Sequence, residues 1–553
     1  MKKNLKWYCK RLLKMNLIEV VHRVLEWILY SKDTHIYKNG WPSNSKLINE
    51  SLLSTELGED IISSFSSLES LYSNIYSNTE LSFNNFVFFK SLSLPTNFDL
   101  RLYWESQRFN QLLTLAFKGN ASKKIEKHLI NWMSDNPPLK GVNYISTMEC
   151  AIRCINLYAS LCVLKRQNDL TDDLLKVSNV FFSVNYRLIK NRLSLFSSRG
   201  NHTLFEYAGL VVCSNFIMPE KTSHWSLKCL NEFDFQTLKD GAGVEQSTAY
   251  HLFNVEVTWL IQTYLSKNEF LSKKLDIAIE YCSDFWINGS VVRFGDSDSS
   301  VLFSRLFIVE KLSRIKAKSI INHSHSGILI SRNEFFTCYF KYGHLGLPPL
   351  FGHGHYDFLS LVVLDNHGNY LTADSQTYLY NTVLRNEFRS SKYHSMPSCG
   401  KDDIASLSSF SWEKQNSGKL TKSQNGWVHG LYERCDDITI KRSIKFVDNY
   451  LIVLDGLYDC KADNVLNVDW LTIPAINYYL FFQIDSEGNS KPLLPIASEL
   501  KHSKTYGKLE SDTILSYSLQ VEKNMKILTI LSTVEFDLPL NEKKIKNLIW
   551  NIL

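Results

Sequence analysis

The spacing of apolar residues changes once along this chain, and that change limits what it can fold into. From about residue 80 to 315 they recur every three or four positions, as helices require; beyond about 320 they fall in short alternating runs, as strands require. In the first part, RLYWESQRFNQLLTLAF sets Leu102, Phe109, Leu112, Leu113 and Ala116 on one helical face, and ISTMECAIRCINLYASLCVL does the same with Met148, Ile152, Ile155 and Ala159. Further helices are expected at DDLLKVSNVFFSVNYRLIKNRL, TLFEYAGLVVCSNFI and TAYHLFNVEVTWLIQTYL. Serial amphipathic helices without intervening strands imply an all-α array of packed hairpins, and no exact repeat marks a named solenoid.

In the second part, GILISR, FFTCYFKY, FLSLVVLD, ITIKRSIKFV, YLIVLDGL and MKILTILSTV read as strands, with NHGN, VDNY and DSEGN as the turns between strands. Together they predict an antiparallel β-sandwich. At 553 residues the chain exceeds what one core usually fills. The expected organisation is multidomain α+β: a helical, Ser/Asn-rich lead-in over 1–80, a helical domain over 80–318 and an antiparallel sandwich over 319–553.

A net charge of +5 with no arginine-rich run or basic-aromatic module argues against nucleic acid as a partner. Aromatic residues at 13% suit sugar stacking as well as an aromatic-rich core. Of eleven cysteines only Cys150 and Cys154 are closely spaced, inside a helical segment and without a second pair, so reduced thiols are expected rather than a zinc finger or a disulfide framework. The opening MKKNLKWYCKRLLKMNLIEVVHRVLEWILY has no uninterrupted apolar core and no small-residue cleavage site, which predicts a cytoplasmic protein. Its Lys2, Lys3, Lys6, Lys10 and Arg11, mixed with Trp7, Leu12, Leu13 and Leu17, suit peripheral contact with an anionic inner-membrane surface as well as docking on the chain's own domain.

Three stretches carry chemistry. The richest runs from Gly352 to His394 and sets His353, His355, Asp357, Asp374, Arg385, Arg389 and His394 around one expected hairpin. Two histidines at i and i+2 of an extended segment face the same way. His355, Asp374 and His394 are of the types that ligate zinc, and a hydrogen-bonded His/Asp/Arg network accounts for the same residues. In RGNHTLFEYAG, Asn201 and His202 precede an apolar helix and Glu206 follows one turn later; Asn201 also reads as a helix N-cap. In DGAGVEQSTAYHLF, a glycine-containing loop leads into a helix with Glu245, Gln246, Tyr250 and His251.

GNHTLFEYAG, DGAGVEQSTAYH, GDSD at 295–298, GHGHYDFLSL, and ADSQTYLYN followed by RNEFRSSKYHS resemble the heparinase II/III-like polysaccharide lyases, and YWESQRFNQLLTLA and ISTMECAIRCINLY resemble their helices. The resemblance spans about residues 100 to 400. It implies an N-terminal (α/α) incomplete toroid, a C-terminal antiparallel β-sandwich, an active site in the cleft between them, and β-elimination on a uronic-acid-containing glycan in bacterial surface-polysaccharide metabolism. By motif, Asn201 and His202 would bind the uronate carboxylate, Tyr250 would be base and acid, and His353 a second base. Glu206, Glu245, Gln246, His251, Arg385, Arg389, Trp104 and Arg108 would contact substrate or support the site. His355, Asp374 and His394 match positions that hold a structural Zn2+ in some members.

Asn254 stands where some relatives carry an aromatic residue one turn after the tyrosine. The expected partner is an acidic polysaccharide or a lipid-linked oligosaccharide. Removing the C5 proton beside a carboxylate builds negative charge there, which calls for neutral donors or cations such as Asn201 and His202. A uronate C5-epimerase shares that proton abstraction and is the nearest alternative; a non-catalytic acidic-glycan-binding protein is the other.

Overall fold

The computed structural model describes residues 15–43, 50–64, 87–92, 94, 98–266, 268–298, 301–313, 319–421, 425–460, 464–472, 478–503, 506–520, 525–532, 545 and 547. The chain forms two compact units. One comprises Met1–Gln236, Phe253–Asp276 and Val301–Glu310, the other Thr237–Leu252, Ile277–Ser300 and Lys311–Leu553.

The described helices of the first unit are α1 (Leu17–Ile36), α2 (Thr55–Ser63), α3 (Leu100–Ser106), α4 (Asn110–Phe117), α5 (Ser122–Asp135), α6 (Thr147–Arg166), α7 (Asp172–Lys190), α8 (Asn201–Ile217) and α9 (Thr222–Gln236). Helices α10 (Thr248–Tyr264), α11 (Glu269–Asp284) and α12 (Arg305–Leu312) contribute residues to both units. Their starts follow local chemistry: the side chains of Asn16, Ser54, Asp99 and Thr171 each accept a first-turn backbone N–H.

Helix α6 is the hub, packed against α2, α4, α7 and α8. The spacing of Met148, Ile152, Ile155 and Ala159 predicts one buried face, but α6 is buried on every side from Thr147 to Leu164, because neighbours surround it. Among the described residues it is the helix long and apolar enough to cross a membrane, and it lies wholly inside the protein.

The segment read as one helix from Arg101 to Phe117 is two. Phe109 takes a left-handed φ of 66° and breaks it, burying its ring against Trp132 and Phe181. The break is secured by Asn156 of α6, whose Nδ2 donates to the Arg108 carbonyl at 2.7 Å and to Asn110 Oδ1 at 2.8 Å. Of the N-terminal segment, Lys2, Lys3, Lys6, Trp7, Lys10, Arg11, Leu12 and Leu13 lie outside the described residues, and Leu17 opens α1.

The second unit is built on two antiparallel sheets. In the larger, the strands run in spatial order Ile496–His502, Glu510–Gln520, Val465–Thr472, Tyr370–Thr372, Ser360–Asp365, Phe336–Lys341, Ile328–Arg332 and Ile320–His323, with Pro397–Cys399 also pairing with Val465–Thr472. The other orders Lys419–Thr421, Val428–Glu433, Thr439–Val447, Tyr450–Tyr458, Lys526–Ser532, Tyr478–Ile484 and Ser490–Pro492. All six apolar runs singled out in the sequence form strands here.

One core is shared by the two sheets: Phe340, Leu361 and Trp470 of the larger meet Ile440, Leu451 and Val453 of the smaller. Alternate residues of the smaller sheet, Ile452 and Leu454, join Trp427 and Ile530 in a second cluster. Both faces of its central strands are therefore apolar, with side chains alternating between two cores.

Between these strands Arg442 sits directly across from Asp455 and grips it through Nε at 2.7 Å and Nη2 at 2.8 Å, both side chains fully buried. Arg442 Nη1 donates to the carbonyls of Leu359 and Ser395, so the pair also fixes the ends of the segments that carry the candidate site. Removing one partner strands a buried charge. Arg442→Leu is expected to lower unfolding free energy by about 3–5 kcal/mol, and Arg442→Leu with Asp455→Leu to recover most of it, as read by denaturant titration.

Candidate active site

The site in the second unit is organised by Asp296, a fully buried carboxylate at the start of the DSD run. It receives His353 Nδ1 on Oδ2 and His355 Nε2 on Oδ1, both at 2.9 Å, Thr377 Oγ1 at 3.0 Å, and both terminal nitrogens of Arg385. Burial pushes its pKa up, but Arg385 and the two imidazoles outweigh that and hold the carboxyl well below the usual range.

Gly295 makes this placement possible. Its φ is +63°, and a Cβ there would lie 2.3 Å from the Gln246 carbonyl oxygen and 2.9 Å from that of His353. The same loop caps α10: Ser247 Oγ donates to the Asp296 carbonyl at 2.9 Å, and Ser297 Oγ accepts from the Ala249 N–H at 3.2 Å. Two motifs nearly fifty residues apart thus form one corner.

From this corner the first turn of α10 presents Tyr250, whose ring meets that of His353 edge to face at 4.7 Å. Its hydroxyl is hydrogen-bonded to that of Tyr380. Because Asp296 holds Nδ1 of His353, the Nε2 edge is turned towards Glu245, 3.7 Å from Oε1. Tyr380 is seated by its backbone N–H donating to Tyr506 Oη at 3.1 Å, with the Arg385 guanidinium 5.1 Å from its ring centre. A partly exposed imidazole, its tautomer set by a buried carboxylate, beside a phenol is an arrangement suited to proton transfer.

His355 is directed inward. It is fully buried, and His355, Asp374 and His394 each offer a ligand atom, all within 4.8 Å of one another. Asp374 Oδ2 accepts from His394 Nδ1 at 2.9 Å and Oδ1 from the Gln376 N–H at 2.9 Å. The hydrogen-bonded network anticipated as an alternative is therefore present. It leaves His355 Nδ1 and His394 Nε2 buried without a hydrogen-bond partner, which is costly. Burial lowers the His355 pKa to about 4, keeping the ring neutral as a metal ligand must be. Two unpartnered imidazole nitrogens and a carboxylate fit a zinc ion's preferred donors.

Several expected substrate contacts are engaged inside this unit. Arg385 is spent on Asp296. Arg389 is fully buried, donating to the carbonyls of Gly354, Ser408 and Ser409 over the Trp412 ring, so it holds loops together rather than facing a ligand. His251 is buried against Gly243 and Tyr281, and burial lowers its pKa to about 4. Gln246 is also buried, with a left-handed φ of 56°.

In the first unit Asn201 is the first residue of α8, with Gly200 rather than Asn201 at the N-cap, and is buried; His202 beside it is half-buried. Glu206 is fully buried, accepting from the Ser194 N–H at 2.6 Å, Ser194 Oγ at 2.7 Å and Thr147 Oγ1. It therefore pins the loop before α8, with its carboxylate oxygens bonded within the protein. Arg108 is likewise buried and grips Glu149 through Nε at 2.9 Å and Nη2 at 2.7 Å. Burial raises the Glu149 carboxyl, and Arg108, with smaller help from Arg153 and His202, brings it below its ordinary value. Half-buried Trp104 donates its indole N–H to the Val142 carbonyl at 2.9 Å.

The heparinase II/III N-terminus model matches residues 95–282, and the heparinase II/III-like C-terminal model matches residues 316–521, together well over half of the chain. The chain belongs to the heparinase II/III-like polysaccharide lyase family. Solved structures agree on the fold, an α/α toroid with a β-sandwich. A heparinase III aligns with TM-score 0.63 at 15% identity, over 88% of this chain and 93% of its own. A mutant of the heparan sulfate lyase HepC from Pedobacter heparinus aligns with TM-score 0.56 at 15% identity, over 94% and 90%. A xanthan lyase from Paenibacillus aligns with TM-score 0.50 at 9% identity, over 87% and 57%. No curated protein matches the sequence significantly.

Within this heparinase II/III-like chain, sequence reasoning passed over three contributors. Asp296 was visible only as part of a motif, and its signal was an acidic residue straight after a glycine. Tyr380 lay unremarked in the ADSQTYLYN run. Asn254, noted as a departure, donates to Gln236 Oε1 at 3.2 Å, and Gln236 Nε2 donates to the Gly200 carbonyl at 2.6 Å, a relay that seats the turn introducing Asn201.

Burial raises the Glu206 pKa from 4.5 to about 7 despite its three donors. A carboxyl more basic in the folded state favours folding while protonated. That contribution is whole below 4.5 and lost as pH rises through about 7. Glu206→Gln, whose amide bonds the same groups, is therefore expected to flatten the fall in melting temperature across that window.

Proposed function

We propose that this protein cleaves a uronic-acid-containing glycan by β-elimination, with Tyr250 and His353 moving the proton. The observation that carries the reading is the Asp296-anchored His353 lying edge to face against Tyr250. The base takes the C5 hydrogen as a proton; the electron pair forms the C4–C5 double bond, the C4–O bond breaks, and the departing oxygen takes a proton from Tyr250. The hydrogen bond from Tyr380 would stabilise the Tyr250 oxygen while it carries negative charge. Asn201 and His202 are assigned to the substrate carboxylate, where charge builds.

The same proposal includes a zinc ion held by His355, Asp374 and His394, cross-linking the hairpin to the segment after it without entering the reaction. Elemental analysis is expected to give one zinc per chain. His394→Ala is expected to lose the metal and several degrees of melting temperature; a metal-free wild type of unchanged stability would remove the ion from the proposal.

The substrate class follows from chemistry rather than from any one relative: an acidic polysaccharide has both the acidified C5 hydrogen and a leaving group beside it. Among the described cysteines no disulfide is formed, which suits a reducing compartment, and with it a glycan met during assembly, such as a lipid-linked oligosaccharide at the bacterial inner membrane.

Two candidate proton carriers side by side also suit C5 epimerisation, in which reprotonation replaces departure of the leaving group. Incubation in deuterated water separates the two: an unsaturated, ultraviolet-absorbing product is expected, whereas an intact polymer with deuterium at C5 would assign the chain as an epimerase. Tyr250→Phe is expected to lower kcat by about a hundred- to ten-thousand-fold while leaving affinity for the uncleaved polymer within a few-fold. Equal loss of both would remove the tyrosine from the chemistry.

A further inference from the structure

Helix α1 is amphipathic in the reverse of the usual sense. Its polar side faces the protein: Asp33 is fully buried between Arg187 Nε at 2.6 Å and Asn191 Nδ2 at 2.9 Å, and Glu19 is buried beside Arg23. Arg23 also bonds Glu26 at 3.2 Å and Ser198 Oγ at 3.2 Å. The three acidic residues of the helix are thus paired or turned inward.

Its apolar side faces out. Leu17, Ile18, Val21, Val24, Leu25 and Ile28 are between 49% and 79% exposed, and their spacing puts them in one stripe along three turns. Trp27 flanks the stripe at 63% exposure. Scattered apolar side chains are ordinary on a protein surface, but a continuous stripe with an aromatic edge marks a contact surface.

The charge of the adjoining sequence identifies what the stripe contacts. Lys2, Lys3, Lys6, Lys10, Arg11 and Lys14 precede the helix, and no acidic residue occurs before Glu19. We infer that α1 docks the protein on an anionic lipid bilayer, the stripe entering the headgroup–acyl boundary and the preceding basic residues drawing it to acidic headgroups. Each attraction alone is weak and reversible, and the two together give lasting attachment. A second copy of the chain is a poorer occupant, because each copy carries the same six basic residues in the sequence before α1 and like charges repel.

The test is co-sedimentation of the full chain with phosphatidylcholine vesicles, with or without phosphatidylglycerol. The wild type is expected to pellet with the anionic vesicles and stay in solution with the neutral ones, and to be released by salt. Val21→Asp combined with Leu25→Asp is expected to reduce the bound fraction about tenfold with the melting temperature unchanged, since both side chains point outward. Wild-type protein remaining in solution with anionic vesicles, or equal binding by the double variant, would overturn the inference. So would a dimer in light scattering that the double variant abolishes without any vesicle binding. Because the readout is attachment and not turnover, this surface and the lyase chemistry fail or stand separately.

Discussion

The buried carboxylate of Asp296 is the constraint on which the second unit's site depends. Removing a carboxylate from water costs several kcal/mol, and the fold offsets this with a cation that bonds both oxygens and with three further hydrogen bonds. Those donors come from segments far from Asp296 in sequence: the GHGH loop, the stretch at Thr377 that follows the strand Tyr370–Thr372, and the short helix Leu384–Phe388 that carries Arg385. None of them is oriented by regular secondary structure alone. The carboxylate supplies the common point that loops lack.

A parallel device operates in the first unit. The α8 N-terminus, where Asn201 and His202 sit, is entered through a loop held by Glu206 on one side and by the Gln236–Asn254 relay on the other. Both anchors are buried polar groups bonded to backbone. A helix start fixed in this way keeps its first residues in place without a side-chain cap of its own.

The elements were legible where periodicity dominates. The strands Thr439–Val447 and Tyr450–Tyr458 follow from alternating apolar residues around the Asp448–Asn449 turn, and α8 and α10 from long apolar helical spacing. The break at Phe109 was not legible, because a left-handed aromatic residue is paid for by tertiary packing that no local pattern records. Burial on every side of α6 was hidden for a similar reason: the number of neighbours belongs to topology. Residue types pointed to His353, His355, Asp374 and His394, but the inward commitment of Arg385, Arg389 and His251 in the second unit, and of Glu206 in the first, depends on partners that no local spacing shows. A charged or titratable residue in a functional motif has two uses, and spacing does not distinguish the one that touches substrate from the one that positions it.

The two histidines of the GHGH loop show how one carboxylate separates those uses. Asp296 binds His353 through Nδ1 and His355 through Nε2, so the two rings present opposite nitrogens to their surroundings. For His353 the remaining nitrogen lies on a partly exposed edge near Glu245; for His355 it lies in the fully buried space shared with His394 and Asp374. The outward-facing imidazole of His353 and the buried His355–Asp374–His394 cluster are therefore joined through a single side chain.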